Sequence, residues 1–258
     1  IKGFILNKFR GDVNLLSPAP EMLEELTGVP TLAVLPMWWQ HGLPEEDGVF
    51  DDRSRSTGVV THTVAVIAYP RISNLDEFQA LKNVLGVRLL WARSPADLAG
   101  LQVSDCLILP GSKHTSSDLA WLRQQGLDLT ILQHARKGGE VLGICGGLQM
   151  LGEVLIDEFG IDGNAVGLGL LPIATQFSAQ KTVQRTQAEF LNLHGTWSAL
   201  SGVKVSGYEI HHGNTKVHSA ITLPGDLAHE VMRGLTWQNK AGNVLGTYLH
   251  GLFEDPAV

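Results

Sequence analysis

Two cysteines and ten histidines supply the chain's thiol nucleophiles and imidazole bases, and one of each sits where chemistry is favoured. Cys145 lies in Gly143-Ile144-Cys145-Gly146-Gly147, between an apolar run, "EVLGI", and a helix-like run, "GLQMLGEVL". A nucleophile on a sharp strand-to-helix turn occupies strained backbone, so its neighbours must be small. The helix that follows aims its amino end at the sulfur and favours thiolate. The amide of Gly146, next after the nucleophile, is free to hold an oxyanion. A buried cysteine beside helix-packing glycines is the structural alternative. Cys106, in "DCLILPG", has no glycine elbow and reads as an inert core thiol, its pKa raised by burial.

A thiol nucleophile needs a base. His250 ends the apolar run of "GTYLHGLFEDP" and is followed by Gly251. In open α/β sheets such groups gather at the carboxyl ends of strands. His211 and His212 end another run, "YEIHHG"; alternation along a strand lets only one of them face a shared cleft. Tyr208, Glu209 and His211 stand near this strand end, either shaping a cleft or domain interface or as plain structure. In "LILPGSKHTSSDL" a strand runs through a Pro-Gly turn into a helix, and Gly111 lets the backbone approach a ligand closely. The phosphate loop G-x-x-x-x-G-K-[ST] is absent, and "GICGG" does not fit G-x-G-x-x-G. No Cys/His spacing matches a zinc site, so no metal is expected.

These groups need a scaffold, and the patterning supplies one. Continuous apolar strands ("TVAVIAY", "VRLLWA", "DCLILPG", "EVLGI") alternate with helical stretches ("NLDEFQALKNVLG", "SSDLAWLRQQG", "DLTILQHARKGG"). That predicts an α/β fold: an open, mostly parallel sheet flanked by helices, flavodoxin-like. Asn74 is expected to cap the first helix, with Glu77 at its third position and Gly86 as its stop. After Gly167 strands dominate: "GLGLLPIATQF", "VKVSGYEIHHG", "NVLGTYLHG". The front piece reads strand ("GFILN"), helix ("SPAPEMLEELTG", with Ser17 as cap and Gly28 as stop) and strand ("TLAVLP"), a short βαβ-like unit.

The 258 residues are 44% hydrophobic, enough for a sizeable core. A net charge of −7, with no Lys/Arg block, argues against nucleic-acid partners or an anionic membrane surface. No apolar run reaches the roughly 18 residues of a membrane helix. Two cysteines make no disulfide framework, so a cytoplasmic, reducing compartment is expected. The start, "IKGFILNKFRGD", reads as a strand entered mid-fold, which points to a piece of a longer protein.

Together "VLGICGGLQMLG", "LILPGSKHTSSDLAWLR", "VSGYEIHHG" and "VLGTYLHGLF" resemble the class I glutamine amidotransferase domain of the cobyric acid synthase family, and "VAVIAYPRISNLDEF" is similar to that domain's first strand and helix. The front piece, with "LPEED", resembles the last part of that family's ATP-dependent amide-ligase domain. The resemblance implies residues 1–43 as a remnant of the synthetase domain, 44–59 as a linker and 60–258 as the amidotransferase domain. It implies glutamine hydrolysis with Cys145 as nucleophile and His250 as base and acid. Amides of Gly111 and Gly146 would form the oxyanion hole, and Gln149, four residues after the nucleophile, fits this branch. Ammonia would pass to the synthetase domain of the same polypeptide, which amidates carboxylates of a corrinoid, a cobyrinic acid a,c-diamide. ATP and Mg are then expected for the full-length enzyme, and no cofactor in this chain.

The sequence departs from the usual class I pattern in one place. That pattern is His-x-Glu, whose acid orients the imidazole; here it reads His250-Gly251-Leu252. A Cys-His dyad follows, with Glu254 as a possible substitute acid. Rival readings are an elbow-cysteine peptidase or stress protein, a subunit serving another ligase such as a cell-wall ligase, and a non-catalytic docking module.

Overall fold

The computed structural model describes residues 1–9, 13–36, 59–217, 227–255 and 257–258. The chain divides into two compact units, Ile1–Pro44 and Glu45–Val258. The expected linker at 44–59 lies outside the described residues, Val59 apart.

In the first unit, strands β1 (Phe4–Phe9) and β2 (Thr31–Pro36) pair in parallel, joined through helix α1 (Ala19–Thr27). Gly28 ends the helix at φ 69°, in the left-handed region that favours glycine. The expected cap is displaced: Pro18 holds the N-cap position, and no side chain caps the helix. No residue of α1 is buried, and Ile5, Leu26 and Leu32 are exposed.

The second unit is built on a seven-stranded sheet. Its strands are β3 (His62–Ile67), β5 (Val87–Ala92), β6 (Cys106–Leu109), β8 (Glu140–Ile144), β13 (His229–Met232), β14 (Thr236–Gln238) and β15 (Val244–Thr247), in the order β13-β14-β15-β8-β6-β3-β5. The five strands from β15 to β5 are parallel, and β14 and β13 add an antiparallel edge. The central strands read as unbroken apolar runs because both faces are covered: Ala65–Ile67, Leu107–Leu109 and Val141–Leu142 are almost wholly buried. Helices α2 (Thr115–Gln124), α3 (Leu127–Arg136) and α4 (Gly146–Leu151) follow β6 and β8. The chain runs from β3 out to β5, then returns to β3's other side as β6, which opens a crevice at the carboxyl ends of these strands.

A two-stranded antiparallel clamp, β4 (Ile72–Ser73) with β7 (Gly111–Ser112), sits at that end. A second sheet, β10-β9-β11-β12, is formed by β9 (Val154–Ile156), β10 (Ala165–Val166), β11 (Ile173–Glu189) and β12 (Lys204–Val217). The helix expected over Asn74–Gly86 is instead two short 3-10 turns, Leu75–Phe78 and Ala80–Asn83. Asn74 makes no capping bond and stands at φ 54°, because its amide and the Glu77 carboxylate turn to the crevice instead.

Candidate active site

The end of β8 delivers Cys145 into the crevice at φ 50° and ψ −103°, a conformation that a residue with a side chain rarely adopts. The glycines around it permit close packing. A Cβ on Gly143 would come within 2.5 Å of Leu151 Cδ1, and one on Gly147 would overlap the Leu109 carbonyl. The Cys145 amide donates to Thr247 O at 2.8 Å, which locks the elbow to β15. Its thiol lies 3.4 Å from the Ile210 carbonyl of β12. Cys106 is the contrast. It packs against the core, and burial pushes its thiol pKa well up, so it stays protonated.

His250 follows β15 and is 1% exposed. A backbone bridge to Tyr208 fixes it: His250 N donates to Tyr208 O at 2.9 Å, and Tyr208 N to His250 O at 3.2 Å. The Tyr208 ring stacks on the imidazole at 5.3 Å and 18°. A Cβ on Gly207 would collide with the His250 carbonyl, so that glycine lets β12 come this close. Asn74 Nδ2 lies 2.9 Å from His250 Nδ1 and 3.2 Å from Nε2. Glu77, fully buried, has Oε2 3.4 Å from Nδ1 and accepts the Gly251 amide at 3.2 Å. Burial alone would lower the His250 pKa; hydrogen bonds to Cys145 and Glu77, and their charges, outweigh it and raise it to about 10. Glu254 is exposed and, among the described residues, forms no hydrogen bond or ion pair with the ring.

The clamp sets the other wall. Lys113 N donates to Arg71 O at 2.8 Å, so in this antiparallel register Ser73 and Gly111 form the next hydrogen-bonded pair. The Gly111 amide is thereby directed at Ser73, and not into the oxyanion position expected for it. Ser112, the alternate residue, turns its amide away from β4. That nitrogen would lie 2.8 Å from a Cβ on Gly146. Gly111 has a steric role: a Cβ there would stand 3.1 Å from His250 Cε1. Gly146 begins α4 and contributes the first unpaired helix amide.

A cavity of about 370 Å³ connects these groups, with Ser112, Cys145, Gln149 and His250 in its lining. Its size suits a small-molecule ligand. Gln149 is buried, accepting from Thr115 Oγ1 at 3.0 Å and donating to Tyr248 Oη at 3.2 Å. Both His211 and His212 line the cavity, contrary to the alternation expected. The ladder explains this: Phe177 pairs with Gly213 but Thr182 with His211, so four residues of β11 bulge opposite His212 alone. His211 stacks on Tyr248 at 3.9 Å and reaches Glu209 at 3.3 Å. Burial would raise the Glu209 pKa; hydrogen bonds from Thr186, Gln184 and His211 hold it below its ordinary value. Of the three residues expected to shape a cleft, His211 lines this cavity, Tyr208 stacks on His250, and Glu209 bonds to His211. Sequence reasoning missed Glu77, Asn74 and Ser112 as site residues. Among the described residues no three His, Cys, Asp or Glu side chains converge as metal ligands, and no helix is long and apolar enough to cross a membrane.

Comparison with known proteins agrees with the resemblance read from the motifs. Residues 63–258 match the model of the CobB/CobQ-like glutamine amidotransferase domain. A cobyric acid synthase of Polaromonas naphthalenivorans (strain CJ2) is 71% identical, the match spanning 100% of this chain and 53% of that protein. One of Variovorax paradoxus (strain S110) is 66% identical over 100% and 53%. The chain therefore spans about half the length of these curated relatives. A crystal structure of a glutamine amidotransferase superposes with a TM-score of 0.54 at 20% identity, covering 75% of this chain and 93% of that one. PurLQS from Thermotoga maritima gives 0.50 at 19%, over 73% and 86%. Both show the fold, an α/β architecture on a mainly parallel sheet.

Proposed function

The chain belongs to the CobB/CobQ-like glutamine amidotransferase family, and from that premise we propose that it releases ammonia from glutamine by covalent catalysis at Cys145. The observation that carries this reading is the strained cysteine elbow facing the same cavity as a buried histidine of raised pKa. His250 takes the Cys145 thiol proton as the sulfur attacks.

The sulfur attacks the carboxamide carbon of the glutamine side chain, and the carbonyl electrons move to oxygen. The amides of Gly146 and Ser112 hold that oxyanion. His250 gives its proton to the departing nitrogen, the C–N bond breaks and ammonia leaves, with a glutamyl thioester on Cys145. Neutral His250 then takes a proton from water, whose oxygen attacks the thioester. The C–S bond breaks, glutamate departs, and the proton returns from His250 to the Cys145 sulfur. Water and glutamine have become glutamate and ammonia.

The ammonia serves an ATP-dependent ligase, and the relatives point to amidation of corrinoid carboxylates in cobalamin biosynthesis. Residues 1–43 belong to that ligase portion. Two parallel strands and an unburied nine-residue helix are too little to make a core, and the apolar Ile5, Leu26 and Leu32 need cover. ATP and Mg act in that portion, and this domain's residues have no step with them.

A chloroketone analogue of glutamine tests the nucleophile. Peptide mapping should find the adduct on Cys145, with free glutamine protecting it and Cys106 unmodified. Equal labelling of both cysteines, or no protection, would contradict the assignment.

A further inference from the structure

His250 is followed by Gly251 and Leu252, so the acid that usually orients this imidazole is missing from its place in the sequence. An acid nonetheless stands beside the ring. Glu77 lies 173 residues earlier, on the 3-10 turn after β4, and is fully buried. Its Oε2 is 3.4 Å from His250 Nδ1 and accepts the amide of Gly251, whose φ of 79° turns the chain away just after the histidine. Its Oε1 is buried without a hydrogen-bond partner. A carboxylate in that position is expensive unless a cation faces it. Glu77 forms an ion pair with the His250 ring.

We propose, on the reading that Cys145 and His250 split glutamine, that Glu77 is the positioning acid of the site, so that the working unit is Cys145, His250 and Glu77 with the acid delivered from the far end of the chain. Glu77 touches neither substrate nor sulfur. It holds the proton on Nδ1, with the Asn74 carboxamide turned so that its oxygen faces the ring, and leaves Nε2 as the nitrogen that exchanges a proton with Cys145, which is the role an orienting carboxylate plays in a nucleophile-base pair. The same turn ties the acid to the oxyanion wall, since Ser73 pairs with Gly111 and Asn74 borders the ring edge. Substrate contact at Ser112 and histidine orientation thus share one short segment, 73–77. The other titratable groups around the pair are Cys145 at the start of α4, Tyr208 on β12, stacked on the ring, and Tyr69 after β3, within electrostatic reach of Glu77. Burial raises both tyrosines, to about 12 for Tyr208, so neither competes for the proton near neutrality.

Glu77→Gln keeps the shape and removes the charge. It is expected to lower kcat for glutamine hydrolysis about 10²-fold or more with KM little changed. The limb of the kcat/KM profile that reports His250 should move to lower pH by at least about one unit. Glu77→Asp, which keeps the charge on a shorter arm, should restore part of kcat and of the pH profile; a merely structural glutamate would show no such recovery. A second readout needs no variant and no turnover: proton NMR of the wild-type chain should show a downfield Nδ1–H resonance from His250, lost in Glu77→Gln. An unchanged kcat and pH profile in Glu77→Gln, or a wild-type His250 without that resonance, would overturn the proposal. Loss of the Cys145 requirement itself, with Cys145→Ala as active as wild type, would instead overturn the reading it rests on.

Discussion

At the scale of residues, the site is a set of buried polar groups bonded to one another, with Glu77 Oε1 left without a hydrogen-bond partner. The pKa of His250 gives that arrangement a consequence for stability. An unfolded histidine titrates near 6.5, whereas folded His250 titrates at about 10. Between those values the native state binds the extra proton, so its contribution is complete below about pH 6.5 and is lost as the pH rises towards about 10. Denaturant titrations should therefore show stability declining through that window, with a shallower decline in His250→Asn. A slope identical in both proteins would contradict the raised pKa. Cys145 and His250 are legible in the sequence because their signals are local: glycines at an elbow, and a histidine ending an apolar strand. Glu77 is not, since its significance depends on a partner 173 residues away.

At the scale of elements, turns and bulges decide what faces the cavity. Asn74 and Glu77 match a helix-start pattern, yet the segment winds into 3-10 turns because both side chains serve His250. Tertiary contacts override the local cap. The adjacent histidines of β12 likewise share a cavity only because four residues of β11 bulge opposite His212. A two-residue period cannot foresee a bulge formed by its partner strand. Helix α2 has a different device. No side chain of its own caps it, and Asp162 from a later loop accepts the Thr115 and Ser116 amides at 2.7 Å each. Asp162→Ala should cost about 1–3 kcal/mol and lower the thermal midpoint by roughly 2–10 °C. An unchanged calorimetric midpoint would show that the helix start does not depend on this distant cap.

For the whole molecule, the parallel sheet is what brings distant residues together. The carboxyl ends of β6, β8 and β15 carry Ser112, Cys145 and His250 to one crevice, and the segment after β3 adds Asn74 and Glu77. This sheet was readable because its strands are buried on both faces and alternate with helices. The second sheet was readable only as a run of strands: β11 is largely exposed beyond Phe177, so its pattern does not reveal that β12 packs Tyr208 over His250. The chain's first unit leaves apolar side chains exposed, and its relatives are about twice as long, so the proposed glutamine site is best assayed in the full-length polypeptide. The most direct test of the central claim is steady-state glutamate release from glutamine by the full-length polypeptide carrying this chain, beside its Cys145→Ala form. A fall of at least about 10⁴-fold is predicted; equal rates in the two proteins would contradict a cysteine mechanism.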